Sequence, residues 1–248
     1  LFERSLCEYT GAKYAVVLSN ATAALHVALQ ALNVTSDDTV LTTPISFVAD
    51  ANAARFLGAT VTFADVSDED ANLDPVKVRE LLDQKKEIKV VIPVHFAGQS
   101  CDMKSIYKLS KKYGFKIIED ASHAIGGKYL NQPIGCCSYS DITVFSFHPV
   151  KIITTGEGGM ALTNKKKYAD KMRLLRTHGI TREPTLMKGK SPGQWFYQQI
   201  DLGYNYRMTD IQAALGISQF KRLDSIVSKR NTLAKRYDKL LSKLPLKL

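Results

Sequence analysis

The sequence predicts an α/β fold in which a mostly parallel sheet carries helices on both faces. Short runs of β-branched residues alternate with segments of helical periodicity through the first two-thirds of the chain. Such alternation is typical of parallel sheets built from β-α units. The runs are also continuously apolar, as expected of strands that are buried on both faces.

The ends of these segments carry recognisable signals. Pro44 directly follows one apolar run, and Gly58 and Gly114 each follow a helical pattern that glycine commonly ends. Pro75 lies in a predicted first helical turn, where its missing N–H is not needed. In chain order, the predicted strands are residues 14–19, 39–43, 60–64, 88–94 and 115–119, and the predicted helices are residues 20–32, 47–58, 74–82 and 103–113.

The pattern changes after the fifth predicted strand. Two further strands, residues 143–147 and 159–163, flank the segment SFHPVKIITTGEGG (146–159), with no obvious helix between them. The later segments are a helix at 165–176, a loop rich in Gly and Pro at 183–199, and a long helical stretch, straight or bent, at 209–241.

The composition gives the chain an excess of positive charge. It has 34 Lys and Arg against 24 Asp and Glu, a formal net charge of +10. Such a charge attracts polyanions, so nucleic acid must be considered. The basic residues are scattered over predicted helix faces, however, and no nucleic-acid-binding module accompanies them. We therefore expect no nucleic acid partner, and a small anionic ligand such as a nucleotide fits the charge equally well.

The four cysteines indicate free thiols rather than a disulfide framework or a zinc site. Cys136 and Cys137 are neighbours, which rarely bridge each other, and no clustered Cys/His spacing suggests a metal. No segment reaches the roughly 18 apolar residues that would span a bilayer. We expect a cytoplasmic protein without a metal and without a membrane partner.

The chemistry-bearing residues follow the predicted strands, at the edge where ligands of open α/β sheets bind. Asn20, Ala21 and Thr22 follow the first strand and open a helix. A helix N-terminus presents free N–H groups and a partial positive charge, so it suits a phosphate. The alternative is an ordinary helix cap, which any helix needs.

Three more residues at this edge have ordinary explanations when each is taken alone. Phe47 fits as a core aromatic, Asp120 as a cap of the next turn, and His123 as a structural histidine. A flat cofactor, however, needs an aromatic face for stacking, and a buried carboxylate needs a cationic partner. Both interpretations stay open for these residues.

Lys151 is one basic residue among 34, and its meaning depends on its neighbours. Pro149 before it restricts the backbone, and Gly156 after it permits a tight turn. A lysine nucleophile must be held in place, and burial lowers its pKa. Pyridoxal phosphate needs N–H donors for its phosphate, an aromatic plate, an anion beside its ring nitrogen and an amine for its aldehyde. Together, the residues at this edge supply all four.

Eight motifs along the chain carry a resemblance to a known family. They are NATAALHVAL (20–29), TTPISFVADANA (42–53), DVSDEDANLD (65–74), PVHFAGQSCDM (93–103), IIEDASHAIGG (117–127), SFHPVKIITTGEGG (146–159), THG (177–179) and LGYNYRMTDIQAALGISQFKRLD (202–224). With these motifs the chain resembles the DegT-type sugar aminotransferases, pyridoxal-phosphate enzymes of fold type I that act on nucleotide-linked keto sugars.

The resemblance implies a role for each site residue. Lys151 matches the Schiff-base lysine and Asp120 the partner of the pyridine nitrogen. His123 matches a donor to the cofactor's phenolic oxygen, and Phe47 the stacking aromatic. The implied phosphate contacts are Ala21, Thr22 and Ser146, together with Asn205 from the neighbouring subunit, so the resemblance implies a homodimer with shared active sites.

Within the family, the His-Pro-Val-Lys and LGYNYRMTD forms are most similar to the transaminases of pseudaminic acid biosynthesis. This similarity implies transfer of an amino group, from glutamate, to C4 of a UDP-linked 4-keto-6-deoxy-N-acetylhexosamine. A 4-aminotransferase for a GDP- or dTDP-linked sugar is the alternative. A non-catalytic regulatory or anion-binding protein is the alternative from another class. The related sugar 3-dehydratases have histidine in place of the lysine, so Lys151 argues against them.

The resemblance also implies how the chain is divided. Residues 1–220 match the cofactor-binding large domain, and residues 221–248 match a long helix that leads into a smaller C-terminal domain. Members of the family usually carry a further stretch before residue 1 and a small C-terminal domain after the long helix.

Overall fold

A computed structural model describes residues 1–84, 87–189 and 191–245, and it has the α/β architecture predicted from the sequence. In chain order its strands are β1 (Tyr14–Leu18), β2 (Thr39–Thr42), β3 (Thr60–Phe63), β4 (Val90–Val91), β5 (Lys116–Asp120), β6 (Lys128–Tyr129), β7 (Gln132–Pro133), β8 (Ile142–Ser146), β9 (Gly159–Thr163), β10 (Ile180–Thr181) and β11 (Gln198–Gln199). Its helices are α1 (Phe2–Thr10), α2 (Ala21–Ala31), α3 (Ala49–Arg55), α4 (Pro75–Asp83), α5 (Met103–Tyr113), α6 (Lys166–Leu175), α7 (Asp210–Phe220) and α8 (Leu223–Leu241).

The main sheet has seven strands in the order β1-β9-β8-β5-β4-β2-β3. The pairs β2–β3, β2–β4, β4–β5 and β5–β8 are parallel. Strand β9 is antiparallel to both of its neighbours, β8 and β1. Because β9 lies between them, β1 runs in the same direction as β8. The carboxyl ends of β1, β2, β4, β5 and β8 therefore share one edge, and the amino end of β9 joins them there.

Helices cover both faces of this sheet. Successive side chains of a strand point to opposite faces, and here they enter different cores. Val90 and Ile118 lie in the core with the buried residues of α2. Val91 and Ile117 lie in the opposite core with Ile106 of α5. Burial on both faces explains why these strands read as continuous apolar runs.

Most predicted elements are confirmed, but two of them are shorter than predicted. The fourth strand is shorter than predicted and is limited to β4, because Pro93 lacks the N–H that would continue the ladder. The predicted helix at 47–58 is wrong at its start: α3 begins at Ala49, which leaves Phe47 in the preceding turn. Helix α1 was not predicted. It packs on β1, and Phe2 and Leu6 are buried in the core there.

The helical stretch predicted at 209–241 is two helices rather than one. Helix α7 begins with a capping box between Thr209 and Gln212, and α8 begins after Arg222. The turn between them buries Leu223, and Gly126 allows α8 to come close, since a β-carbon there would lie 2.7 Å from Val227 Cγ2. The break therefore brings the start of α8 onto the core.

The loop predicted at 183–199 contains one short strand. Strand β11 pairs with β10 in an antiparallel ladder. Lys190, within the predicted loop, and residues 246–248, at the end of the range 221–248, lie outside the described residues. Among the helices that the structure describes, none is both long and apolar enough to cross a membrane.

Candidate active site

The shared edge of the sheet opens into a cavity of about 320 Å³, a volume at the lower end of the roughly 300–1,000 Å³ typical of small-molecule pockets. It receives residues from the carboxyl ends of five strands. Of the predicted site residues, those that line it are Ala21, Thr22, Phe47, Asp120, His123, Ser146 and Lys151.

The start of α2 forms one wall of the cavity. The Asn20 side chain caps the helix and accepts a hydrogen bond from the Ala23 N–H at 2.8 Å. The first amide groups of a helix have no acceptor within the helix, so those of Ala21 and Thr22 are available to a ligand. No carboxylate lies in this first turn. The wall is therefore suited to an anion such as a phosphate.

Ser146 lies beside this helix start, and Gly159 makes that arrangement possible. The two residues face each other in the β8–β9 ladder, and Ser146 is buried. A β-carbon on Gly159 would come within 2.4 Å of the Asn20 carbonyl and 2.6 Å of the Ala21 nitrogen. Only glycine fits there, and it allows β9 to pass directly under the helix start.

Asp120 ends β5 at the floor of the cavity and is 5% exposed. Its Oδ1 accepts two hydrogen bonds from Ser122, one from the backbone N–H at 2.9 Å and one from the hydroxyl at 2.5 Å. Ser122 was not singled out from the sequence. These bonds stabilise the ionised carboxylate and leave Oδ2 for a cationic partner in the cavity.

A buried polar network supports the strand that carries Asp120. The Cys101 backbone N–H donates to Nδ1 of His95 at 3.2 Å, so the ring proton lies on Nε2, which donates to Glu119 at 2.9 Å. The hydroxyls of Ser140 and Thr143 also donate to Glu119. Burial raises the pKa of Glu119, but these hydrogen bonds outweigh burial and hold the pKa below its ordinary value. Adjacent to Asp120, Glu119 is thereby fixed in its buried position.

Lys151 lies in the loop between β8 and β9, half-buried at the cavity wall. Burial lowers its pKa, and the charge of Asp120 offsets part of that effect. Among the described residues, its Nζ has no ion pair and no hydrogen bond. A lysine with a lowered pKa and a free amine has the properties of a nucleophile.

His123 and Phe47 line the same cavity from other sides. Burial lowers the pKa of His123, the charge of Lys151 lowers it further, and Asp120 acts in the opposite direction. Phe47 is 71% exposed, which sets it apart from a core aromatic. Its ring is open at the cavity mouth, so it is accessible to a flat ligand.

Two residues of the SFHPVKIITTGEGG segment gain a structural relationship that the sequence did not suggest. His148 Nε2 lies 3.7 Å from Glu157 Oε1, and both residues line the cavity. Each is about half exposed, so the pair contributes little to stability. It bridges the two arms of the loop that holds Lys151.

Asn205 lies apart from the cavity of its own chain. It forms a β-bridge with Thr177, is exposed, and does not line the cavity. The other predicted site residues are brought together by the sheet edge, and Asn205 is not.

Taken together, the cavity presents an anion site, a carboxylate, an aromatic ring and a free amine. A ligand that carries a phosphate, a protonatable ring and an aldehyde is complementary to these four groups. The sequence predicts no role for Ser122, His95 or Glu157, because each acts through contacts that arise only in the folded chain.

Comparison with known proteins identifies what the chain is similar to. The DegT/DnrJ/EryC1/StrS aminotransferase family matches it over residues 1–248. A Campylobacter jejuni protein, UDP-4-amino-4,6-dideoxy-N-acetyl-beta-L-altrosamine transaminase, is 44% identical over 245 residues, which are 98% of this chain and 62% of that protein.

Two solved structures have the same fold. One is PseC from Helicobacter pylori, an aminotransferase involved in the biosynthesis of pseudoaminic acid, with a TM-score of 0.89 and 36% identity over 98% of this chain and 62% of that one. The other is NtdA from Bacillus subtilis with bound cofactor PMP, with a TM-score of 0.84 and 31% identity over 98% of this chain and 52% of that one. The chain thus spans about three fifths of the curated relatives' length.

Proposed function

Because the chain belongs to the DegT/DnrJ/EryC1/StrS aminotransferase family, we propose that it forms the cofactor-binding part of a pyridoxal-phosphate-dependent nucleotide-sugar aminotransferase. The observation that carries the proposal is the meeting of Lys151, Asp120, Phe47 and the start of α2 at one cavity. Each supplies a different requirement of the same cofactor. When bound, pyridoxal phosphate supplies a ring that takes up the electron pair of the substrate carbon.

The residues of the cavity fit this cofactor in a defined arrangement. The amides of Ala21 and Thr22, with the Ser146 hydroxyl, bind the phosphate. Asp120 would accept a hydrogen bond from the protonated ring nitrogen and keep that proton in place. Phe47 covers one face of the ring and excludes water from it. Gly159 has no side chain, which allows β9 to pass close to the start of α2, where the phosphate would bind.

Lys151 is the catalytic residue in this proposal. Its Nζ would hold the cofactor at the aldehyde carbon. As a free amine it would remove a proton from the donor's α-carbon as a general base, and it would return a proton as a general acid. A lowered pKa leaves more of the amine neutral at pH 7, and burial provides that shift. His123 donates to the phenolic oxygen.

The proposed substrate is a UDP-linked 4-keto-6-deoxy-N-acetylhexosamine, which receives the amino group at C4, with glutamate as the donor. The 44% identity to the Campylobacter jejuni transaminase supports this substrate class. The chain has 34 basic and 24 acidic residues, and this net positive charge also suits a substrate that carries a nucleotide.

We propose a homodimer in the cytoplasm as the working unit. Asn205, exposed and outside its own cavity, reaches the cofactor phosphate of the neighbouring subunit. Residues 1–220 form the cofactor-binding domain, and the helix from 221 onwards leads into a smaller domain. The exposed side chains along α8 support this division, since Leu233, Tyr237 and Leu240 are more than half exposed. The four free cysteines favour a reducing compartment.

The test combines cofactor binding with amino transfer in the full-length gene product. We expect the protein to have a visible absorbance band that hydroxylamine removes. In an assay against a panel of UDP-, GDP- and dTDP-linked 4-keto sugars, we expect transfer of an amino group from glutamate to a UDP-linked sugar. Lys151→Ala is expected to lose both the band and turnover, and the exposed Lys108→Ala to keep both.

Each other outcome has a distinct meaning. Preference for a GDP- or dTDP-linked sugar would contradict the proposed substrate but would agree with the proposed reaction. Absence of cofactor uptake in the wild type would favour a non-catalytic anion-binding protein. Full transamination by Lys151→Ala would show that the lysine is misassigned.

A further inference from the structure

A second carboxyl group lies directly behind the floor of the cavity. Asp50, in the first turn of α3, is 1% exposed. Its Oδ2 accepts a hydrogen bond from the Ser46 hydroxyl. Its Oδ1 is buried and has no hydrogen-bond partner in the part of the chain that the structure describes. A buried polar atom without a partner is costly, so this oxygen requires an explanation.

The explanation lies in the neighbouring carboxyl of Asp120, which is within hydrogen-bonding reach of Asp50. Asp120 comes from β5 and Asp50 from α3, so the fold brings together two acids that are distant in sequence. Two buried carboxylates in contact cannot both be ionised, and one of them keeps a proton. Burial first, and the charge of Asp120 second, raise the pKa of Asp50 well above its ordinary value.

The surrounding groups place the proton on Asp50 rather than on Asp120. Asp120 receives two hydrogen bonds from Ser122, which favour its ionised form. The positive charge of Lys151 also acts on Asp120. Asp50 accepts from the Ser46 hydroxyl and from its own backbone N–H, but burial outweighs these bonds, and the charged group that acts on it is Asp120 itself.

We propose that Asp50 is a positioning residue: a neutral carboxylic acid that donates a hydrogen bond to Asp120 and fixes this carboxylate toward the cofactor's ring nitrogen. The proton gives the buried Oδ1 a partner, because the oxygen becomes a donor. The role toward the cofactor rests on the proposed function, whereas the shared proton does not.

This arrangement links the turn that contains Phe47 to Asp120. Ser46, Asp50 and Asp120 form one chain of hydrogen bonds, and Phe47 lies between the first two in sequence. Hydrogen bonds thereby connect the turn before α3, which contains Phe47, to β5, which ends at Asp120. A donor on Asp120 also spreads its negative charge, so Asp120 holds the ring-nitrogen proton less tightly than an isolated carboxylate would.

The first experiment measures the shared proton without the cofactor. We expect the infrared spectrum of the apo-protein at pH 7.5 (about the working pH of cytoplasmic enzymes) to contain the C=O stretch of a buried neutral carboxylic acid. The band is expected to disappear in Asp50→Asn, which keeps the shape and offers an amide donor to Asp120. Absence of the band, or its persistence in Asp50→Asn, would overturn the proposal.

The second experiment measures the effect on the cofactor. Asp50→Leu fills the same space without a donor, and we expect it to bind pyridoxal phosphate about tenfold more weakly, as for loss of one hydrogen bond to a charged group. Asp50→Asn is expected to bind within about threefold of wild type, since it keeps the donor. The ring-nitrogen ¹⁵N shift of labelled cofactor is expected to move in Asp50→Leu and not in Asp50→Asn.

The outcomes separate the two proposals. If the wild type takes up no pyridoxal phosphate, the proposed function fails, and the infrared measurement still decides whether the carboxyl pair shares a proton. If the wild type binds the cofactor and Asp50→Leu, folded by circular dichroism, matches it in affinity and ¹⁵N shift, the positioning role is wrong.

Discussion

Gly159 packs against Asn20 so closely that a β-carbon on the glycine would lie 2.4 Å from the Asn20 carbonyl. The first residue of β9 therefore supports the first turn of α2. This contact joins the lysine-bearing segment SFHPVKIITTGEGG (146–159) to the predicted phosphate site, although the two are far apart in sequence.

The first prediction concerns this contact. Gly159→Ala forces the helix start away from its position, which we expect to weaken cofactor binding at least tenfold and to destabilise the fold by about 1–3 kcal/mol. Gly156→Ala is the matched control: it lies in the same segment, has φ +80°, and has nothing within 4 Å of the added carbon. It is expected to cost about 1–2 kcal/mol of backbone strain and to leave affinity unchanged. Fluorescence titration and urea unfolding measure the two effects, and equal affinities for both variants would contradict this account.

Lys151 is expected to destabilise the apo-protein. Because burial lowers its pKa, the unfolded chain binds the lysine proton more tightly than the folded chain does, so stability rises with pH between the lowered pKa and the ordinary 10.5. Lys151→Met is therefore expected to raise the apo Tm at pH 7, and the gain shrinks as pH approaches that value. Thermal unfolding at several pH values measures it, with the exposed Lys108→Met as control. A Tm below that of wild type at pH 7 would count against a buried amine.

The His95–Glu119 pair is expected to control acid stability. His95→Leu leaves Glu119 buried without its 2.9 Å donor, a loss of about 3–5 kcal/mol at neutral pH. In the wild type the pKa of Glu119 is held below its ordinary 4.5. The stability that ionised Glu119 contributes is therefore present above pH 4.5 and is lost as the pH falls through the lowered pKa. The difference between variant and wild type is expected to shrink in acid. Urea unfolding at pH 7 and pH 4 tests this, with the exposed His148→Leu as control; a pH-independent difference would argue against an ionised Glu119.

The four free cysteines are expected to react in a fixed order. Cys101 and Cys137 are buried, and burial raises the pKa of the Cys137 thiol above its ordinary value. Cys7 is half-buried, and burial followed by the charge of Glu3 raises its pKa. Cys136 is half-buried, and we expect it to be modified first by a thiol reagent in the native protein. Mass spectrometry of partially labelled protein identifies the order, and Cys136→Ser is expected to remove the fast phase. Rapid labelling of Cys137 would show that its region opens.

The edge of the sheet that carries the site was predictable because a parallel sheet brings strand ends together. Asp120, Phe47 and Lys151 were placed at that edge from strand positions alone, and they line one cavity. The chemical roles of these residues stay predictions.

Other features depend on contacts that a linear pattern does not encode. Asp50 looks like a polar residue of a surface helix, and only its place beside Asp120 in the folded chain makes it a buried acid. Phe47 was assigned to a helix because its neighbours have helical spacing, but α3 begins two residues later. Helix α1 has one apolar face whose partner, β1, is revealed only by the fold.

The loop that carries Lys151 is closed at its neck by backbone bonds from Phe147 N–H to Gly158 at 2.8 Å and from Thr155 N–H to Phe147 at 3.0 Å. Its two arms continue into β8 and β9, which pair with each other. The lysine backbone is therefore tethered at both ends to the rigid sheet, and its own side-chain torsions are what move the amine. This tether keeps the amine near Asp120, whose charge acts on it.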